Sequence, residues 1–487
     1  MRLLTAHTID QGLVLICASG CMALAFAHDK PHYSYPLLFA LQIVAAVLVV
    51  RYKLTHNDLY VLVLAILMIV AFMYVMIVRA TASLNVQCGL PLGSISEIGG
   101  VLIADSSISA SGNQVLRLQL GWCKDARRTM TVARGVVMAI TKEHRSITSG
   151  SSVCLKGIFD AGNRQHFFYA DSLAVEMYCQ PKRLELLQAL CRRFNTLSPT
   201  GEQLSVLLLL GVSIDYCSPI RTMAIESGSA HVLALSGMHL HVIAHLCEVM
   251  LRPFFSRRCA SFIVLPVLSI FVWIAGPKPS LVRALIMHAL MVCFPDSINA
   301  RRALALTFLI HIIFWPQTAH DSGFLLSYAA LAGLLCAYNP IKMLLQVIVH
   351  PLIASWMATT IAVQLFSAPL VMHTFGVWYP IGIIVAPILA FLASIMMCCA
   401  LMYLVLPVFP LRYCLNIIGY IFERIISWAS SWSHGHPMFG NRMTLFVAGA
   451  VVLTVLVLLG YACKRMKSRS KHIHDLGLFL RFSQCNH

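Results

Sequence analysis

The chain has 487 residues, of which 59% are apolar and only 11% are charged. Soluble domains carry about 25% charged residues, so this chain has too few polar side chains to cover a water-facing surface. Together with a mean hydropathy of +0.79, this excludes an ordinary soluble protein and predicts an integral membrane protein.

The net charge is +17, from 36 Lys and Arg against 19 Asp and Glu. Cytoplasmic loops that obey the positive-inside rule would give such an excess, and so would binding of a polyanionic cargo. Most of the 17 cysteines lie inside apolar runs, where Cys acts as a small hydrophobic residue. The sequence has no zinc-ribbon cysteine pairs and no phosphate-binding loop, so we expect no metal, no cofactor and no ATPase of its own.

Residues 1–79 are predicted to form N-terminal transmembrane segments. The first apolar run, which ends at Ala27, fits either a first span or a secretory signal, and we interpret it as a span because further apolar runs follow. Arg51 and Lys53 place the next turn in the cytoplasm. The following span then leads outward, so residues 80–180 are expected outside the membrane.

Residues 80–180 differ in composition from the rest and predict a small β-barrel of the OB type. Short stretches in which apolar and polar residues alternate are separated by turn residues, as expected of strands. The predicted strands include 97–104, 115–120, 132–140, 153–159 and 167–175. Five or six strands in this length suit an extracytoplasmic OB-like barrel.

OB barrels often bind single-stranded nucleic acid through aromatic and basic side chains. The candidates for DNA binding are Arg117, Trp122, Lys124, Arg127 and Arg128. The alternative is that the aromatic residues form the core and the barrel only caps the membrane domain. The oxidising side of the membrane also permits disulfides, for which the candidates are Cys88, Cys123, Cys154 and Cys179.

Residues 181–200 alternate charge and leucine at helical spacing, which predicts an amphipathic helix on the membrane surface. Residues 201–463 form the predicted membrane domain. Several of its apolar runs are shorter than the roughly 20 residues that a perpendicular span needs, so some helices are expected to be tilted, broken or re-entrant. The basic residues between runs predict about twelve spans, both termini in the cytoplasm, and a basic cytoplasmic tail over 464–487.

Polar residues inside the membrane domain are costly and are therefore functional candidates. The densest group contains His231, Ser236, Gly237 and His239. A Ser three residues before a His suggests a nucleophile with its base, and the nearby histidines suggest a metal site. A helix break that lines a conduit, or histidines buried by packing, are the other interpretations. We favour the break.

Three further stretches carry polar residues or helix breaks. Lys278 and Arg283 follow a Gly-Pro turn at the start of a helix and would attract an anion, or Arg283 would extend to the interface. Asp321 stands at a helix start, as an N-cap or as a partner for Arg283. Gln364 and Pro380 belong to a segment whose prolines interrupt two helices, as in permeation paths.

These stretches, in this order, resemble the competence family of bacterial DNA-uptake channels, the ComEC type. The matching motifs are LLLLG at 207–211, HVLALSGMH at 231–239, PSLVRALIM at 279–287, DSGFLLSYAALAGL at 321–334, and Gln364 with Pro369, Phe375, Pro380 and Pro387. The resemblance covers about 200–440. It implies an inner-membrane channel that imports one DNA strand during natural transformation while the second strand is degraded.

The expected partners are single-stranded DNA and membrane lipid. Because the chain has no nucleotide-binding loop, we also expect a cytoplasmic ATP-driven translocase that pulls and a periplasmic or surface receptor that delivers. Whether the protein forms a homodimer is left open. The longest family members carry a C-terminal nuclease-like domain, and here only the basic tail follows the last apolar run. We therefore expect no catalytic residues in the membrane domain, and whether the barrel cuts DNA stays open. The rival functions are a secondary transporter of a small organic anion and a membrane-embedded hydrolase.

Overall fold

The computed structural model of the chain describes residues 87–433 and 438–439, with internal gaps. The gaps fall at 104–105, 109–112, 128, 146, 148–149, 161–166, 178–180, 213–218, 316–317 and 319–320. The predicted N-terminal segments at 1–79 and the predicted tail at 464–487 lie outside the described residues.

The first part of the described chain is a β-barrel. Its strands are β1 (Gln87–Cys88), β2 (Ile95–Leu102), β3 (Ser107–Ile108), β4 (Gln114–Asp125), β5 (Met130–Arg134), β6 (Val136–Thr141), β7 (Ser152–Phe159) and β8 (Phe167–Met177). Strands β2, β4, β6, β8 and β7 close on one another in that order, and the β6–β8 pair is the parallel one. This connectivity is that of a five-stranded OB barrel, which confirms the predicted fold.

The barrel closes around an apolar core because inward and outward side chains alternate along each strand. Along β7, half-buried and buried residues alternate from Ser152 to Leu155. Ile98, Leu155 and Phe168 are fully buried, and Phe168 meets Phe159 edge to face with ring centroids 5.1 Å apart. The same alternation leaves a second set of side chains on the outer surface.

A glycine allows one tight contact between two barrel strands. A Cβ at Gly157 of β7 would lie 1.9 Å from the carbonyl oxygen of Tyr169 on β8. Gly157 sits beside an irregularity in the β7–β8 register, between the pairs Lys156 with Ser172 and Gly157 with Ala170. Glycine permits such a close approach of two backbones, which helps a small barrel to curve and close.

The second part of the described chain is helical. Its helices are α1 (Pro181–Arg192), α2 (Pro199–Leu210), α3 (Pro219–Glu226), α4 (Ala230–Leu233), α5 (Gly237–Leu251), α6 (Arg257–Ala275), α7 (Pro279–Cys293), α8 (Ala300–Phe314), α9 (Ser322–Leu345), α10 (Pro351–Phe375), α11 (Gly382–Val405) and α12 (Phe409–Ser433). Two short strands, β9 (Val377–Trp378) and β10 (Met438–Phe439), pair with each other.

Within the described residues, four helices are long and apolar enough to cross a membrane, and α5 and α7 are shorter apolar helices. The four are α6, α9, most of α10, and α11. This confirms the predicted membrane protein, while the count of twelve spans remains a prediction. Each of these four contains a proline, at Pro266, Pro340, Pro369 and Pro387. Proline removes one backbone hydrogen bond and so favours bends in these helices.

Helices α2, α11 and α12 form the centre of the helical domain. Leu204, Val206 and Leu208 of α2 are fully buried although α2 is only 12 residues long. Ser198 caps α2, and the Asn416 side chain of α12 accepts a hydrogen bond from the Ser198 backbone N–H at 2.9 Å. Such a cap satisfies a backbone amide that lipid would leave unbonded.

Helix α1 packs against the membrane domain with one face. Arg183 is buried, and its Nε donates to the backbone carbonyl of Ile274 near the end of α6 at 3.3 Å. Leu187 of α1 joins the core of the helical domain. One face of α1 therefore packs on protein, while Lys182, Glu185, Leu186 and Arg192 are exposed, so the predicted position of this helix on the membrane surface stays a prediction.

We predict that Gly157→Ala destabilises the barrel by about 1–3 kcal/mol, because the new Cβ would overlap the Tyr169 carbonyl and force the strands apart. Gly121→Ala is the matched control, because a Cβ there would lie 3.8 Å from the nearest heavy atom, an ordinary contact. Resistance of the barrel to limited proteolysis in the purified full chain measures the effect. Equal resistance of the two variants would contradict the role assigned to Gly157.

Candidate functional site

A break between two short helices forms the centre of the polar cluster in the membrane domain. Helix α4 ends at Leu233 and α5 begins at Gly237, with Ser236 as its N-cap. The Ser236 Oγ accepts from the Met238 backbone N–H at 3.3 Å, and His239 Nδ1 accepts from the Ser236 backbone N–H at 3.1 Å. This is a capping box in which a histidine stands where Glu or Gln is usual.

The capping box gives His239 a structural position. Its side chain is fully buried, and among the described residues its Nε2 has no hydrogen-bond partner. His239 Nδ1 also lies 3.1 Å from the Ser236 Oγ, so it is shared between the Ser236 hydroxyl and the Ser236 backbone N–H that already donates to it. Within the described residues, no three His, Cys, Asp or Glu side chains stand together to hold a metal ion. The cap and break therefore account for this pair better than a catalytic or metal site does.

Two cations of α7 bind backbone carbonyl groups near this break. Lys278 Nζ donates to the carbonyl of Gly211 at 3.1 Å. Gly211 is the left-handed C-cap of α2, with φ 69°, and cations stabilise helix C-termini. Arg283 is buried, and its Nη1 donates to the carbonyl of Ser327 in α9. The guanidinium also lies over the Tyr328 ring, 5.7 Å from its centroid.

Gly237 and Arg283 fix the distance between α5 and α7. A Cβ at Gly237 would lie 2.9 Å from Arg283 Nη2 and 3.3 Å from the Ala284 Cβ, so a larger residue would displace the guanidinium. The Ser280 Oγ donates to the carbonyl of Leu235 in the break at 2.7 Å. The structure thus brings Ser236, Gly237, His239, Lys278 and Arg283 into one cluster, in which the two cations donate to backbone carbonyls at the end of α2 and within α9.

Aromatic residues surround the contact between Arg283 and α9. Tyr328 is fully buried, and its hydroxyl lies 3.3 Å from His311 Nδ1 on α8. Phe308 and Phe324 pack on the same Tyr328 ring. His311 lies within an apolar run and is not among the residues predicted from the sequence. An ionisable residue in such a run is the signal that could have identified it.

The remaining candidates lie around the cluster. His231 is an exposed residue of the four-residue helix α4. Asp321 caps α9, with its Oδ1 accepting from the Gly323 backbone N–H at 2.8 Å. The Gln364 Oε1 accepts from Trp378 Nε1 at 2.9 Å, which joins α10 to β9. Pro380 is half-buried in the connection between β9 and α11. Gln364 is thus held by Trp378, and Pro380 follows two residues after Trp378 in the chain.

The outer face of the barrel carries an aromatic ring that lies directly on the backbone of β2. A Cβ at Gly99 would lie 2.1 Å from Trp122 Cε2, so the indole of β4 occupies the space that a side chain would take. Lys124 Nζ lies 4.6 Å from the centre of the Trp122 rings. Aromatic and basic side chains together are the groups with which OB barrels bind single-stranded nucleic acid, and a base could stack on Trp122 once Lys124, which lies over the ring, moves toward a phosphate.

A charged row continues from Trp122 across three strands. Glu97 of β2 pairs in register with Lys124 on β4 and with Lys156 on β7. Its carboxylate lies 3.6 Å from Lys124 Nζ and accepts a hydrogen bond from the Cys154 thiol at 3.0 Å. That hydrogen bond, and then the nearby lysines, lower the pKa of Glu97. Burial, and then Glu97, raise the pKa of Cys154 to about 12, so this thiol stays protonated.

The other candidate DNA-binding residues of the barrel lie away from Trp122 and Lys124. Arg117 pairs with Met138 of β6, five residues from Trp122 along β4. Arg127 is exposed in the turn after β4, and Arg128 lies outside the described residues. Trp122 and Lys124 are thus the two candidates that the structure brings together, and Arg117 and Arg127 lie apart from them along the chain.

The three candidate disulfide cysteines that the structure describes are free thiols. They are Cys88, Cys123 and Cys154. Cys88 Sγ donates to the Leu90 carbonyl at 3.1 Å, and Cys123 Sγ lies 3.2 Å from Thr131 Oγ1. Cys179 lies outside the described residues. The predicted disulfides are therefore not formed among these three, and each sulfur has a neighbouring polar partner.

The fold and the cluster define a polytopic membrane protein that carries an OB-like barrel. The model of the competence protein family matches residues 208–467, and the chain belongs to this family, as its motifs predict. A stretch of 152 residues is 27% identical to ComE operon protein 3 of Bacillus subtilis (strain 168), covering 30% of this chain. That stretch spans 19% of the relative's own length. No solved structure matches the chain.

We predict that Arg283→Gln destabilises the membrane domain by about 1.5–3 kcal/mol, because it removes a buried charge-assisted hydrogen bond to the Ser327 carbonyl. Arg283→Lys should also destabilise it, since a lysine lacks the planar group that covers Tyr328. Arg258→Gln is the control, because Arg258 is exposed. The thermal unfolding midpoint of the purified chain in detergent measures all three, and an unchanged midpoint in both Arg283 variants would exclude a structural role.

Proposed function

We propose that this protein is an inner-membrane channel that carries single-stranded DNA into the cytoplasm during natural transformation. The barrel would bind the strand outside, and the broken helices of the membrane domain would form the route. The observation that carries the proposal is the combination, in one member of the competence family, of an OB barrel that presents Trp122 and a membrane domain with a polar break at Ser236.

The proposal includes an orientation. Arg257 and Arg258 open α6, Arg301 and Arg302 lie at the start of α8, Lys342 lies near the end of α9 and Arg412 lies near the start of α12. Short connections favour antiparallel neighbours, so these ends would share one side of the membrane. The positive-inside rule assigns that side to the cytoplasm, with about twelve spans, both termini inside and the barrel outside.

A polyanion must cross a low-dielectric slab along a wet route with polar walls. Lys278 and Arg283 would attract phosphate near the entrance, and His231, His239 and Gln364 would offer hydrogen bonds. The chain would need a cytoplasmic ATP-driven translocase to pull and an external DNA receptor to deliver. We assign no catalytic step to the membrane domain, so the second strand would be degraded by another protein or by the barrel.

Deletion of the gene tests the function. We expect transformation to be lost while growth on organic solutes is unchanged, because a channel for DNA has no role in nutrition. Transformation frequency and growth curves are the measurements, and the gene supplied in trans is the control. A nutrient-uptake defect with normal transformation would support the rival transporter of small organic anions and reject the channel.

Trp122→Ala should weaken binding of a single-stranded oligonucleotide to the full chain by about 1–3 kcal/mol, the usual contribution of one stacked base. Gly99→Ala should weaken it too, because the new Cβ would push the indole off β2. Trp122→Phe keeps a ring and should retain most of the affinity. Fluorescence anisotropy of a labelled oligonucleotide measures binding, and an abasic oligonucleotide provides the comparison. Equal affinity of Trp122→Ala and the parent chain would exclude Trp122 as the stacking residue.

A further inference from the structure

One face of α5 carries polar side chains that the cluster at the helix break does not include. His241, His245, Glu248 and Arg252 follow one another at steps of four, three and four residues, which places them on one side of the helix. His241, His245 and Arg252 are exposed, and Glu248 is half-buried. The opposite face packs into the protein through Leu240, Ile243 and Ala244.

Neighbouring helices add polar groups to this face. The Ser261 Oγ of α6 donates to Glu248 Oε1 at 2.8 Å. His288 of α7 lies within electrostatic reach of both Glu248 and His241. Its Nε2 is buried and has no hydrogen-bond partner among the described residues. Three helices therefore direct histidine, serine and carboxylate groups toward the same region.

Lipid would solvate this polar face of α5 poorly. Histidine and glutamate in hydrocarbon are costly unless water or polar partners solvate them. Helix α6 differs, because it exposes Phe262, Val267 and Ile270 along its length, whereas the exposed large apolar residues of α5 are Val249 and Met250 near its end. On α5, polar residues occupy one side of an apolar helix at steps of three or four residues. This pattern is typical of a helix face that contacts water.

We propose that the α5 face with His241, His245 and Glu248, together with His288 of α7, lines the hydrated route through the membrane domain. This inference rests on the proposed function and assigns the wall of the same route. The imidazoles supply hydrogen-bond donors and acceptors to phosphate and water. Arg252, at the end of α5, and the adjacent Arg257 and Arg258 receive the phosphates at the cytoplasmic end.

The test is the accessibility of single cysteines to a cationic, membrane-impermeant methanethiosulfonate reagent in inside-out vesicles. His241→Cys and His245→Cys should react. Leu240→Cys is the matched control at the depth of His241, because it is buried, and Ile270→Cys is exposed on a lipid-facing surface. Neither control should react above the background from the chain's own cysteines, which the parent protein measures.

Labelling of both histidine positions with neither control labelled supports the inference. Absence of labelling at both positions overturns it, whether lipid or protein covers the face. The thermal midpoint of each variant confirms that it is folded, and two positions are used so that one misfolded variant does not decide the result. Single-stranded DNA should slow the reaction at His245→Cys. Labelling that DNA does not slow would keep the hydrated wall and count against DNA as the cargo, so the two failures are distinguishable.

Discussion

Hydrocarbon offers no hydrogen bonds, and this constraint explains most of the polar contacts in the membrane domain. Each break in a helix leaves carbonyl and N–H groups that must find partners inside the protein. At the α4–α5 break, Ser236 and His239 bond to backbone N–H groups while Ser280 bonds to the Leu235 carbonyl. Lys278 supplies a partner for the α2 terminus in the same way. The short helices are tolerated because these side chains satisfy their ends.

The same constraint shows why the sequence predicted the break but not the face that lines a route. Ser-Gly in an apolar run indicated a helix break at 236–237, and the structure has it there. Treating 231–241 as one continuous helix, however, gives the wrong rotation for the histidines. Because α5 begins at Gly237, His239 is the third residue of the helix and is buried as part of the capping box, whereas His241 lies on the exposed face. Neither composition nor spacing indicates that a histidine will take the place of Glu in a capping box, so the buried position of His239 could not be predicted.

The barrel was more predictable, for a physical reason. Alternation along β4 and β7 is a local property that arises from one buried and one solvated face, so the strands could be located from sequence. The parallel β6–β8 contact joins segments that are distant along the chain and follows from closure, which no local pattern encodes. The position of Trp122 over Gly99 likewise depends on the register between β2 and β4. Sequence identified Trp122 as a candidate, and only the fold shows which glycine makes room for it.

The half-buried Lys278 and the buried Arg283 suit a different task from the exposed polar face of α5. Lys278 and Arg283 already donate to backbone carbonyls, so contact with a phosphate would require them to leave those partners or to share their protons. A moving strand needs sites that are attractive enough to enter and weak enough to leave. Imidazoles on an exposed helix face meet that requirement better than a buried guanidinium does. Lys278 and Arg283 hold parts of the broken helices together, whereas under the proposed function the weaker polar groups of α5 would form the surface along which a charged strand moves.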